Sequence, residues 1–146
     1  MNLRSIEIDD LDDLAQLFQA CFSVPPWNEK WTFELARSRI ARMLECRSCR
    51  GVLATEGDSV VGMAFGQVEG WIDGNLFLLQ ELCVLSKHRG QGIGKVMLNK
   101  LVSDLRSNDG LIALYLLTDR GGPAESFYQK LGFACSGQKI VMGLPV

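Results

Sequence analysis

The stretch ELCVLSKHRGQGIGKVMLNKLVSDL, Glu81 to Leu105, encodes three elements in immediate succession. An apolar run from Leu76 to Leu85 stops at Ser86, and Arg89-Gly90-Gln91-Gly92-Ile93-Gly94 follows. Ile93, Val96, Met97, Leu101, Val102 and Leu105 then recur at helical spacing. The order is strand, glycine loop, helix. Glycines at every second position remove the Cβ atoms that would hold a bulky anion off the backbone. The helix start behind them presents unpaired N–H groups and a partial positive charge. Such a loop is suited to phosphate.

The totals bound what surrounds it. A chain of 146 residues with 47% hydrophobic content is the size of one domain with one core. A formal net charge of -2 gives no surface-wide attraction to nucleic acid or anionic membrane, so binding must be local. No segment approaches the ~18 apolar residues of a membrane span, and the N-terminus is charged from its first residues, so a soluble, cytoplasmic protein is expected. Cys21, Cys83 and Cys135 sit in apolar patterns and read as reduced core thiols; Cys46-x-x-Cys49, without a second pair, is a weak metal signal, and no metal is expected.

Before the loop, Asn2 to Ile8 reads as a strand. Asp9 or Asp10 then caps a helix with Leu11, Leu14, Ala15, Phe18 and Phe22 on one face. Pro25-Pro26 breaks that helix, and a loop with Trp27 and Trp31 leads to a second helix capped by Thr32. Leu35, Ile40, Met43 and Leu44 form its apolar stripe, with Arg37, Arg39, Arg42 and Arg47 on a solvated face. Val52 to Glu56 and Ser59 to Glu69 form a hairpin around Gly57-Asp58, and Asp73-Gly74 turns the chain into the run that feeds the loop.

Downstream, Leu111 to Leu117 is continuously apolar, as in a strand covered on both faces, and should run parallel after its crossover helix. Gly121-Gly122-Pro123 opens a last helix, Ala124 to Leu131, ended by Gly132; Phe133 to Val146 can form a final hairpin. No repeat or linker divides the chain, so residues 1–146 read as a single domain.

Two phosphate motifs are excluded by spacing. The loop is not G-x-x-x-x-G-K-[ST], and it is not the dinucleotide fingerprint G-x-G-x-x-G. Arg89-x-x-Gly92-x-Gly94 instead resembles the acetyl-CoA loop of the GNAT N-acetyltransferase superfamily. Ala124-x-x-Phe127-Tyr128-x-Lys130-x-Gly132-Phe133 resembles that family's second signature, and the order of elements is similar along the whole chain. The resemblance implies an α/β fold of the α+β type. Its central sheet is mixed and mostly antiparallel, with six or seven strands flanked by about four helices and splayed between the fourth and fifth strands.

It also implies roles. Acetyl-CoA would be cosubstrate, its pyrophosphate against the N–H groups of Gly90, Gln91, Gly92, Ile93, Gly94 and Lys95, and its pantetheine arm along Leu82, Cys83 and Val84, almost as an added strand. Arg89 would fork onto phosphate oxygens. A backbone N–H around Cys83 or Val84 would polarise the thioester. Tyr128 is the candidate acid for the departing thiol and Glu81, alone among carboxylates on its strand, the candidate base. Where many members carry an asparagine before the last helix, this chain has Gly121.

The expected activity is transfer of acetyl from acetyl-CoA to a primary amine in a ternary complex. The acceptor is expected to be a small amine, with a polyamine or a protein N-terminus as alternatives. Glu81, Glu29, Asp73 and Asp119 would attract a cation, and Trp27 and Trp31 could stack on it. His88, the one histidine, is expected in solvent. The competing readings are a non-catalytic acyl-CoA sensor or interaction module and, more weakly, a nucleotide-binding domain. No nucleic-acid or membrane partner is expected, and the resemblance leaves room for a homodimer.

Overall fold

The computed structural model describes all residues, Met1–Val146, which divide into two compact units, Met1–Leu116 and Leu117–Val146. The first unit holds β1 (Asn2–Ser5), α1 (Leu11–Phe22), α2 (Phe33–Leu44), β2 (Cys49–Glu56), β3 (Ser59–Trp71), β4 (Gly74–Val84), α3 (Ile93–Asp109) and β5 (Leu111–Leu116). The second holds α4 (Pro123–Lys130). The sheet has five strands in the order β1-β2-β3-β4-β5, antiparallel except for the parallel β4–β5 pair. A mixed α/β fold is therefore present, with five strands in place of the six or seven expected.

The missing pair is the final hairpin. Phe133 to Val146 contains no strand, and Ile140, Val141, Met142 and Leu144 are all more than 70% exposed. Three of these apolar residues are consecutive, so no alternation assigns the segment one buried face. The reading of β5 also changes. It pairs only with β4 and is an edge strand, with Ile112 and Tyr115 half-exposed. Its continuous apolar run had suggested a strand covered on both faces; Tyr115 instead sends its hydroxyl to Glu69, at 2.8 and 2.9 Å from the two carboxylate oxygens.

Helix ends follow local chemistry. Thr32 Oγ1 accepts the Leu35 N–H at 3.2 Å, as a capping threonine should. Asp10 stands at the N-cap of α1, but its carboxylate turns backward, taking the Glu7 N–H at 2.8 Å and both ends of the Arg4 guanidinium at 2.8 and 2.6 Å. Gly110, with φ 59°, ends α3 in the left-handed region that glycine enters without strain.

Side-chain alternation sorts the sheet into two faces. Met63, Phe65 and Cys83 pack with Leu14, Phe18, Cys21, Ala36, Ile40 and Met43 of α1 and α2. Gly62 faces the other way, where a Cβ would lie 2.9 Å from Met97 of α3. The register contains one irregularity that positions the site. Phe65 pairs with Glu81 and Gly66 with Leu79, so Gln80 is an extra residue on β4. This bulge flips the alternation, placing Phe77 and Leu79 on the α3 face and Glu81 and Cys83 on the α1/α2 face. Gly66 permits it, since a Cβ there would sit 1.9 Å from the Leu78 carbonyl oxygen.

Candidate active site

β4 changes character along its length. Its pairing with β5 ends at Leu79↔Leu116, so Gln80 to Val84 have no strand on that side. Leu85 N–H donates to the Val61 carbonyl, which by two-residue alternation turns the backbone of Cys83 toward β3 and that of Leu82 and Val84 toward the open edge. The Val84 carbonyl accordingly points outward, where it accepts Arg89 Nε at 3.0 Å. Of the three strand residues expected to meet a pantetheine arm, Leu82 and Val84 present backbone groups to the opening; Cys83 does not.

The loop that follows is shaped as an anion cradle. Gly90 and Gly92 adopt φ 75° and 81°, and nothing lies within 4 Å of where their Cβ atoms would be. The first bond of α3 runs from Val96 N–H to the Gly92 carbonyl, and no side chain caps the helix. The N–H groups of Ile93, Gly94 and Lys95 thus have no helical partner. Gln91 closes the loop through Nε2 to the Lys87 carbonyl at 3.3 Å. These features fit a pyrophosphate: several convergent backbone donors, a helix dipole and space above two glycines.

Arg89 contacts both β4 and the tryptophan loop. Its Nε holds the Val84 carbonyl and its guanidinium lies 5.3 Å from the Trp27 ring, which packs edge-on against Phe22. It braces the loop against β4. His88, expected in solvent, is buried at 9% exposure in the short helical turn Ser86–His88, its Nε2 3.6 Å from Glu56 and without a hydrogen-bond partner.

Glu81 is the buried carboxylate of the α1/α2 face, 7% exposed. Arg39 of α2 donates to its Oε1 through Nε at 2.9 Å and Nη2 at 2.5 Å. Burial pushes the Glu81 carboxyl above the usual range and outweighs the Arg39 bond, which pulls the other way. Oε2 accepts no bond from the protein and is not fully enclosed.

Arg39 is the residue that the sequence reading missed, placed with Arg37, Arg42 and Arg47 on a solvated face. The buried stripe of α2 is Ala36, Ile40 and Met43, and Leu35 is 55% exposed. That stripe shares Ile40 and Met43 with the expected one and has Ala36 in place of Leu35; Arg39, three residues after Ala36 and four before Met43, flanks it and so reaches the sheet. The signal was Ala36, too small to stand out. The guanidinium lies 5.8 Å from the Phe18 ring and 5.9 Å from the Trp31 ring. Trp31 is itself fixed edge-on to Phe18 at 4.8 Å, with its carbonyl on Gln19 and its indole N–H on Glu29. Asp73 lies outside this cluster: it precedes β4, and Glu81 is eight residues further along, about 26 Å in an extended strand.

Two thiols border the site. Cys21 and Cys83 are both buried; burial first, then Cys21, pushes the Cys83 thiol well up. Cys46 and Cys135 are exposed, the latter against expectation, and no group of three or more metal-ligating side chains is assembled. In the second unit, Tyr128 packs between Phe127 and Phe133, with ring centroids at 5.1 and 5.4 Å. Its carbonyl accepts the N–H groups of Leu131 and Phe133, which closes the end of α4. No helix is long and apolar enough to cross a membrane.

The chain is similar in fold to many solved structures. One from Clostridium difficile 630, described as a possible acetyltransferase, is 17% identical over 99% of this chain and 97% of its own, with a TM-score of 0.83. A ribosomal-protein-alanine N-acetyltransferase from Brucella melitensis biovar Abortus 2308 is 15% identical over 99% of this chain and 100% of its own, with a TM-score of 0.79. An aminoglycoside N-acetyltransferase solved in complex with CoA is 15% identical over 99% of this chain and 95% of its own, with a TM-score of 0.77. No curated protein matches the sequence. The model of the acetyltransferase (GNAT) family matches residues 11–133, most of the chain, and the protein belongs to that family.

Proposed function

We propose that the chain is an N-acetyltransferase that moves the acetyl group of acetyl-CoA to a primary amine by direct attack, with both substrates bound together. One observation carries this reading: on a single strand, a buried carboxylate with one unpaired oxygen stands beside backbone groups that no strand claims, just before an uncapped helix N-terminus. The N–H groups of Gly90, Gln91, Gly92, Ile93, Gly94 and Lys95 hold the pyrophosphate, and Leu82 pairs with the pantetheine arm. Bound acetyl-CoA supplies an activated acetyl thioester. The complex of a structural neighbour with CoA supports the choice of ligand.

The chain's own residues then have distinct tasks. Glu81 Oε2 accepts the proton of the acceptor ammonium, and its raised pKa brings it nearer to the amine it must deprotonate. The Val84 N–H, turned to the open edge, donates to the carbonyl oxygen as charge develops there. Tyr128 gives its hydroxyl proton to the departing sulfur; a phenol near 10 and a thiol near 8.5 are close enough for that transfer. Arg89 braces the loop.

Thiol release from acetyl-CoA over a panel of amines, with mass analysis of the product, tests the reading. An amine-dependent signal and an adduct heavier by one acetyl group are expected, and Tyr128→Phe should lower kcat by roughly 10²-fold or more. Unchanged turnover in Tyr128→Phe would remove Tyr128 from the mechanism. Binding of CoA with no release on any amine would leave an acyl-CoA-binding module.

A further inference from the structure

The Arg39–Glu81 pair has two unused ends. Both bonds between the side chains converge on Glu81 Oε1, through Arg39 Nε and Nη2. Oε2 of Glu81 and Nη1 of Arg39 have no partner in the protein; the first is not fully enclosed and the arginine side chain is 44% exposed. One ion pair therefore keeps a free carboxylate acceptor and a free guanidinium donor. The rings of Phe18 and Trp31 lie beside the guanidinium and restrict its plane.

We propose that the acceptor is a free α-amino acid, held as a zwitterion across this ion pair: its ammonium on Glu81 Oε2 and its carboxylate on Arg39 Nη1. The proposal rests on the acetyltransferase reading and names its substrate class. A compound with amine and carboxylate on one carbon spans two adjacent charges of opposite sign; a polyamine would meet the Arg39 cation with no anion to offer it. Glu29, the other carboxylate near Glu81, is already engaged by the Trp31 indole N–H. Arg39 thus acts as a specificity residue: it selects the acceptor carboxylate and sets the amine beside the base. On transfer, one ammonium proton passes to Glu81, the amine nitrogen forms the new bond to the acetyl carbon, the carbon–sulfur bond breaks, and the second proton the nitrogen loses replaces the one Tyr128 gives to the departing sulfur.

The test compares, on the intact protein, the twenty α-amino acids, their α-amides and the matching decarboxylated amines in thiol release. For the preferred side chain, kcat/KM for the acid should exceed that for the amide and the amine by roughly ten- to hundredfold, as expected for one charge-assisted hydrogen bond. Arg39→Gln should collapse that ratio toward one and Arg39→Lys should restore part of it. A side chain that only supported the fold would scale all three substrates together. Amides or amines turned over as well as the acids would overturn the inference while leaving the acetyltransferase standing. If nothing releases thiol, the transferase reading fails, and titration calorimetry of the same amino acids with CoA present decides the inference: binding of acids over amides upholds it, and no preference ends it.

Discussion

At the scale of single residues, Glu81 and Asp10 make opposite statements about pH. Burial raises the Glu81 carboxyl, so the folded state holds that proton more tightly than the unfolded chain. Its contribution to stability is complete below about pH 4.3 and is lost as pH rises through the higher native value. Glu81→Gln should therefore melt no lower than wild type at pH 7 while losing activity by about 10²–10⁴-fold. The wild-type rate should fall on acidification at a pH above the ordinary carboxylate range, and that limb should vanish in the variant. A melting point well below wild type would show that Glu81 serves the fold. Asp10 is the reverse case: the Arg4 hydrogen bond holds its carboxyl low, so its contribution is present above about pH 3.9 and lost as pH falls through the native value. Arg4 is half-exposed, so solvent discounts the ion pair, and the bond to the Glu7 N–H adds to it. Asp10→Ala should cost about 1–2 kcal/mol in denaturant unfolding at pH 7, and the difference should shrink in acid.

At the scale of elements, the β4 bulge does most to build the site. If regular alternation ran through Gln80 with no bulge, Glu81 would share a face with Phe77 and Leu79 and point toward α3. Gly66→Ala puts a Cβ on the Leu78 carbonyl oxygen, so the bulge must shift. The expected outcome is a loss of stability of about 1–3 kcal/mol together with a fall in kcat/KM larger than the fall in folded fraction, read by parallel urea and activity titrations. Wild-type kinetics in a folded Gly66→Ala would separate the bulge from catalysis. The bulge also marks the limit of what could be read in advance. The glycine loop, the Thr32 cap and the strand–helix–strand order are local patterns, each written in a few neighbouring residues. The bulge is a register relation between Phe65–Gly66 and Leu79–Glu81, and Arg39 reaches Glu81 from the flank of a buried stripe that runs over a small alanine, Ala36. Both depend on packing between distant segments. The edge position of β5 was likewise hidden, because an apolar run looks the same whether its neighbour is present or not.

At the scale of the whole molecule, the first unit separates structural from chemical labour along one strand. The half of β4 before Gln80 is paired on both sides and packed, with Phe77 fully buried. The half after it has an open edge that runs directly into the glycine loop and the start of α3. Backbone groups that no strand claims are concentrated along this edge, and Glu81 pairs with Arg39 on the α1/α2 face of the same stretch. The second unit supplies the aromatic set of Phe127, Tyr128 and Phe133 and an apolar tail.

The central claim is that the Gly90–Lys95 loop and the edge of β4 select CoA, and titration calorimetry tests it most directly. CoA, acetyl-CoA, ATP and NAD would be titrated into the wild-type protein and into Gly92→Asp, which adds a negative side chain at φ 81° where glycine leaves open space. CoA and acetyl-CoA should bind one per chain and raise the melting temperature by roughly 5–10 °C at a hundredfold excess over Kd. ATP and NAD should bind far more weakly, and Gly92→Asp should abolish CoA binding while still unfolding cooperatively. ATP or NAD bound as tightly as CoA, or CoA affinity unchanged in a folded Gly92→Asp, would contradict the account.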